Sequence, residues 1–169
     1  MSRAFVKETE PDEPVPLVDP VLPPGARNVI TSAGASRLRA EAEALQQERR
    51  QLKASPSVEG QVRLAVVERR LAWFQRRSPS WVEVPPVVQT ERVRLGCRLR
   101  VEDAAGQVRE LQILGVDELE GAPGGVSWLS PIAQALLGAE VGDSVLLHRP
   151  GGDEELSVLA ILPGNEGAD

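Results

Sequence analysis

Tyrosine is missing from this 169-residue chain, and with two phenylalanines and three tryptophans the aromatic residues amount to 3% of it. Sequence-tolerant capture of single-stranded nucleic acid stacks bases on aromatic faces, and this composition does not furnish such a platform. One cysteine, Cys97, and one histidine, His148, exclude an intramolecular disulfide and a zinc site built from Cys and His, and they argue against a catalytic Cys-His pair. No apolar run approaches the roughly 18 residues a membrane span needs, and no apolar stretch follows the opening Met1-Ser2-Arg3-Ala4-Phe5 as in a secretory leader. The expectation is a cytoplasmic protein with no membrane contact, of one domain or two small ones.

What is present is charge, unevenly placed. The net charge is −6, yet residues 1–30 carry −2, residues 31–81 carry +5 and residues 82–169 carry −9. A basic middle between acidic ends steers a charged partner toward one orientation, or else marks a solvated, arginine-rich helix.

Along the chain, residues 8–25 hold six prolines and five acidic residues without an apolar period, so 1–30 reads as a flexible arm. Thr31 starts a helix whose Leu38, Leu45 and Leu52 recur every seven residues with Ala35 and Ala42 between them, a narrow coiled-coil seam. Ser55-Pro56-Ser57 reads as a turn into a second helix, with Ser55 as N-cap and Pro56 at the first helical position. Leu64, Val67, Leu71 and Phe74 give that helix its own seam, so 31–80 is expected to form an antiparallel coiled-coil hairpin with arms of about 35 Å. Ser78-Pro79 ends it, and the proline-bearing stretch 81–91 reads as a stiff linker.

From Arg92 the period falls to two, with Leu95, Cys97, Leu99 and Val101 on one side, and Cys97 reads as a small core residue. Turns at Ala105-Gly106 and Pro150-Gly151-Gly152-Asp153 separate strands at 107–116, 144–149 and 155–162, with a short strand at 126–129. Ser130 caps a short helix with Pro131 at its first position and Gly138 after its end. The fold class is therefore α+β: a helical hairpin, then an antiparallel sheet domain with one short helix over 92–163, and a tail at 164–169.

Catalytic chemistry finds no purchase. Gly124-Gly125 and Gly151-Gly152 lack the strand, turn and long helix of a phosphate cradle and read as turns. His148 has no paired carboxylate or thiol identifiable in sequence, and Asp117-Glu118 with Glu120 reads as a solvated acidic loop rather than a metal site. No cofactor is expected.

A resemblance then emerges. Thr31, Gly34, Leu38, Glu41 and Leu45, with Val126-Ser127-Trp128-Leu129-Ser130-Pro131-Ile132-Ala133, Ala135-Leu136-Leu137-Gly138, Val141-Gly142-Asp143 and Pro150-Gly151-Gly152, resemble the Gre family of bacterial transcription elongation factors. Met1 to Lys7 also resembles short-coil members of that group. The resemblance implies an FKBP-like C-terminal domain without isomerase activity that grips the core RNA polymerase at its secondary channel. The hairpin would then point down that channel, in contact with nucleic acid of the elongation complex, and the protein would act as a monomer. Residues implied at the docking contact are Trp128, Leu129, Ser130, Pro131, Ile132 and Gly138. Trp128 reads either as a binding anchor or as a buried strand residue.

Three departures stand out. The tip, Lys53 to Gly60, offers one carboxylate, Glu59, where the cleavage factors of the family hold a second magnesium ion with an acidic pair. The arms are shorter than in those factors by about ten residues each, roughly 15 Å of reach. Leu129 stands where a polar or acidic residue is expected before Ser-Pro. The implied function is regulation of elongation without stimulation of transcript cleavage, through Ser57 and Glu59 at the tip and the basic residues Arg49, Arg50, Lys53 and Arg63 beside it. The alternative reading of that basic face is side chains that are solvent-exposed or pair along the helix with Glu48 and Glu59. Two alternative functions keep the fold and change the role. One is a short-coil regulator of another client, like those named for nucleoside diphosphate kinase. The other is an FKBP-like prolyl isomerase, against which stands the lack of aromatics: Phe5 and Phe74 both lie outside the sheet domain.

Overall fold

The computed structural model describes residues 19–164; most of the expected arm, including Met1 to Lys7, and most of the tail fall outside them. The β-branched run Val29-Ile30-Thr31 belongs to strand β1, Asn28–Thr31, which leads directly into helix α1, Ser32–Ala54. Thr31 is the N-cap, its hydroxyl accepting from the Gly34 N–H at 3.0 Å. Helix α2, Val58–Arg77, returns antiparallel to α1, so that Arg70 meets Glu41 near the base and Arg63 meets Glu48 nearer the tip.

The turn between the helices differs from the sequence reading by two residues. Ser55 closes α1, its N–H donating to Gln51 O at 3.1 Å, and Ser57 is the N-cap of α2, accepting from Gly60 N–H at 3.0 Å. The cause is Pro56, which pushes the residue before it out of helical φ/ψ, so a new helix begins only after it. Along the seams, Ala35, Leu38, Val67, Leu71 and Phe74 are buried, whereas Leu45, Leu52 and Leu64 are half-buried. Toward the tip Val58 and Val62 stand 82% and 70% exposed, so burial that holds the hairpin is concentrated at its base.

The stretch expected to be linker from residue 81 begins as a strand. Strand β2, Trp81–Val84, pairs in parallel with β1, Asn28 opposite Trp81 through Thr31 opposite Val84. Parallel neighbours need a long crossover, and the helical hairpin is that crossover. Pro85 and Pro86 follow the strand and enforce its end rather than preventing it. Ile30, Ala35, Leu38, Trp73 and Phe74 form one core under this closed base, with the Trp73 and Phe74 rings edge to face at 5.1 Å.

The second core belongs to a five-stranded sheet in the order β5-β4-β3-β7-β6. Its strands are β3, Arg98–Asp103; β4, Val108–Leu114; β5, Gly125–Ser127; β6, Ser144–Leu147; and β7, Glu154–Leu162. Cys97, Leu99 and Val101 are buried as their alternation requires. The strand starts at Arg98 rather than Arg92, because Gly96 takes a φ of +91° and makes a turn there. The sheet is mixed rather than wholly antiparallel: β5 lies parallel to β4, Gln112 opposite Gly125, because the loop 115–124 folds back on itself and re-enters beside the last three residues of β4 in the same direction. Helix α3, Pro131–Leu136, buries Ala133 and Leu136 against this sheet. No helix among the described residues is long and apolar enough to cross a membrane.

Hydrogen bonds from Arg63 hold the Glu48 carboxyl below its ordinary value, and Lys53 does the same for Glu68. A depressed carboxyl stabilises the hairpin above the unfolded value of about 4.3 and ceases to do so as pH falls through the folded one. NMR titration of the Glu48 side chain is expected to give a midpoint below that value, moving up to it in Arg63→Ala; an ordinary midpoint in the unaltered protein contradicts the pairing.

Candidate functional site

The residues singled out in sequence fall into two places joined by the hairpin. Around α3, Ser130 is the N-cap: its hydroxyl donates to Ser127 O at 2.6 Å and accepts from Ala133 N–H at 3.4 Å. Pro131 is exposed at the first helical position, where its missing N–H costs nothing. Trp128 lies between its two readings. It is half-buried and packs against the sheet core, yet its indole N–H has no partner among the described residues. Its carbonyl accepts from the Gln134 side chain at 2.6 Å, which ties the start of the segment to the exposed face of α3. Leu129 and Ile132 are half-buried, and Gly138, at φ +88°, donates to Val93 O at 2.8 Å. The result is a platform with a pinned backbone whose exposed rim is Pro131, Gln134 and Gly138.

At the other end, every residue from Lys53 to Glu59 is exposed. Arg63 is engaged by Glu48, with Nη2 to Oε2 at 2.9 Å, and Lys53 by Glu68 at 2.8 Å, while Arg49 acts on Glu68 through its charge. Arg50 is exposed and has no partner among the described residues. Arg63 and Lys53 are therefore paired, but across the hairpin with Glu48 and Glu68 and not along one helix, and Glu59 takes no part. Glu59 stands in the first turn of α2, where a carboxylate complements the helix dipole. No group of three or more His, Cys, Asp or Glu that could hold a metal occurs among the described residues. The α3 platform and the tip are not brought together; α1 alone spans about 35 Å.

What connects them is the acidic loop, and here the structure corrects the sequence reading. Asp117 and Glu118 are 4% and 2% exposed, not solvated. The Asp117 carboxylate accepts from Arg77 Nη2 at 2.7 Å, Trp81 Nε1 at 2.8 Å and Asn28 Nδ2 at 2.7 Å. Glu118 Oε1 accepts from the N–H groups of Thr31 at 2.9 Å and Gly115 at 2.7 Å, and its Oε2 from the Thr31 hydroxyl. Arg37 donates to the Glu118 carbonyl at 2.8 Å, and Arg70 pairs with Glu120 at 2.8 Å while its guanidinium lies 4.6 Å over the Trp73 ring. Buried carboxylates are tolerated only when fully hydrogen-bonded, and both are. Two glycines were the available signal. A Cβ at Gly34 would overlap the Glu118 carboxylate, and one at Gly115 would overlap the carbonyl of Val29, so each marks a close approach.

Comparison with known proteins agrees with the sheet domain. The family description "Transcription elongation factor, GreA/GreB, C-term" fits residues 88–163. Transcription elongation factor GreB of Neisseria meningitidis serogroup A is 32% identical over 104 residues, 60% of this chain and 64% of that protein. GreB of Pseudomonas syringae pv. tomato is 34% identical over 101 residues, 59% of this chain and 64% of that protein. Among solved structures, Thermus aquaticus Gfh1 is 25% identical, covering 80% of this chain and 98% of that one with a TM-score of 0.39. The chain thus spans just under two thirds of the length of the GreB proteins it matches.

Removing one member of a buried pair leaves the other uncompensated, so Asp117→Ala is expected to lower stability by about 3–5 kcal/mol. Urea unfolding checks this through the midpoint at unchanged slope. A cost under about 1 kcal/mol would show the Asp117–Arg77 contact to be peripheral.

Proposed function

Because the chain belongs to the GreA/GreB family of transcription elongation factors, we propose that it binds bacterial RNA polymerase and regulates elongation from the secondary channel without stimulating transcript cleavage. In this reading the sheet domain, FKBP-like in fold, docks through Trp128, Leu129, Ser130, Pro131, Ile132 and Gly138, and the hairpin, a coiled coil, enters the channel. The observation that carries it is the position of α3: it lies inside the matched stretch 88–163, and its rim of Pro131, Gln134 and Gly138 is exposed while its other face is buried. A surface held rigidly by Ser130 and the Gln134–Trp128 contact is suited to recognition, because little side-chain freedom is lost on binding.

The tip supports the absence of cleavage stimulation. A hard cation needs several oxygen ligands, and Glu59 is the one carboxylate between Lys53 and Gly60. What remains for the tip is occupancy and charge: Arg50 is exposed with no partner among the described residues, and Lys53 is exposed enough to exchange Glu68 for phosphate or carboxylate groups of the elongation complex, with Arg49, half-buried, adding its charge. The protein then works as a cytoplasmic monomer whose effect comes from filling space near the polymerase active centre, with any chemistry left to the polymerase.

The test is binding and RNA release with purified core polymerase. Pro131→Asn is expected to weaken binding at least several-fold with the fold intact, and the unaltered protein to leave RNA release from backtracked complexes at the intrinsic rate. Unchanged affinity of the folded variant removes the docking assignment, and accelerated release removes the proposed mode of action.

A further inference from the structure

A lever is only as well aimed as its hinge. With arms of about 35 Å, a rotation of 10° at the base displaces the tip by about 6 Å. Covalently, the hairpin unit reaches the sheet domain only through residues 85–97, which include a glycine at φ +91°. The noncovalent contacts between the two parts converge on the turn after β4, and of its side chains Glu118 is the one that touches α1 at its origin.

We infer that Glu118 is a positioning residue, whose carboxylate seated on Thr31 at the start of α1 sets the direction of the hairpin relative to the sheet domain. Its geometry suits that role better than a role in holding either part together. Glu118 is bound to the sheet side through Gly115 N–H and to the hairpin side through Thr31 N–H and hydroxyl. The Thr31 hydroxyl in turn accepts from Gly34 N–H, so the first turn of α1 and the end of β4 share one hydrogen-bonded carboxylate. The partial positive charge of the helix N-terminus favours the anion there. The carboxylate lies against Gly34 so closely that a Cβ there would overlap it. Asp117, on the same loop, also ties the sheet domain to the hairpin, but through Asn28, Arg77 and Trp81 at the foot of the hairpin and not through the first turn of α1. Each core is apolar and separate, so neither depends on Glu118 for its burial.

This inference rests on the proposed function for its consequence, since aim matters only if the sheet domain docks and the hairpin enters; the direction itself is testable in the free protein. Spin labels on Ser57→Cys at the tip and Val108→Cys on β4 report the angle, and buried Cys97, its thiol pushed up by burial, escapes labelling. The unaltered hinge is expected to give one narrow distance distribution. Glu118→Ala and, independently, Gly34→Ala should shift or broaden it by about 6 Å or more, whereas Glu118→Gln, which keeps an acceptor for Thr31 and Gly115, should restore it. With polymerase, Glu118→Ala should retain affinity within about twofold while its effect on elongation falls about tenfold. An unchanged distribution in both alanine variants overturns the inference, and so does loss of helical circular dichroism in place of reorientation. Failure of the unaltered protein to bind polymerase removes the functional reading alone, because the distances in the free protein decide the positioning role.

Discussion

Two adjacent carboxylates, Asp117 and Glu118, are buried between parts of the chain that have separate cores, and the rest of the architecture has to accommodate them. Burying a carboxylate is costly unless every lone pair is used. Asp117 draws in Arg77 from the end of α2, Trp81 from β2 and Asn28 from β1. Glu118 takes the backbone and hydroxyl of Thr31 where β1 becomes α1. The parallel β1–β2 pair brings these donors to one place, and the 115–124 loop that delivers the acids is the same segment that makes β5 run parallel to β4. The joint is thus a polar one, with direction, between two apolar cores without any.

Much of the outline was legible because it depends on local rules. Seams at heptad spacing gave the hairpin, Thr31 and Ser130 announced themselves as caps, and Cys97 read as core from the alternation around it. What escaped depends on partners far along the chain. The β1–β2 pair joins residues 53 apart, and its second strand stands before two prolines that argue locally for a linker. The acids of the 115–124 loop look solvated in sequence because, apart from the Gly115 N–H, the donors to Asp117 and Glu118 lie 36 to 89 residues away. Of the two glycines that carried a signal, Gly34, three residues past the cap of α1, was the plainer, since a glycine there weakens a helix without reason unless something lies against it.

The same distinction separates the two ends of the molecule. The α3 platform is fixed by its own hydrogen bonds, and its start and end were readable from Ser130-Pro131 and Gly138. The tip is defined by what it carries little of, a single carboxylate among exposed apolar and basic residues. Under the proposed function, a platform that grips and a tip that occupies need a joint that transmits position between them, which a loose proline-rich connection would not do.

The most direct measurement is crosslinking from the tip. A photoreactive residue at Ser57, in complexes with core polymerase, is expected to capture subunit segments around the secondary channel and active centre, and to lose them when the docking rim is altered at Pro131. Capture from Ser57 that is absent, or confined to the outer surface while a probe at Gln134 still reacts, would contradict the account.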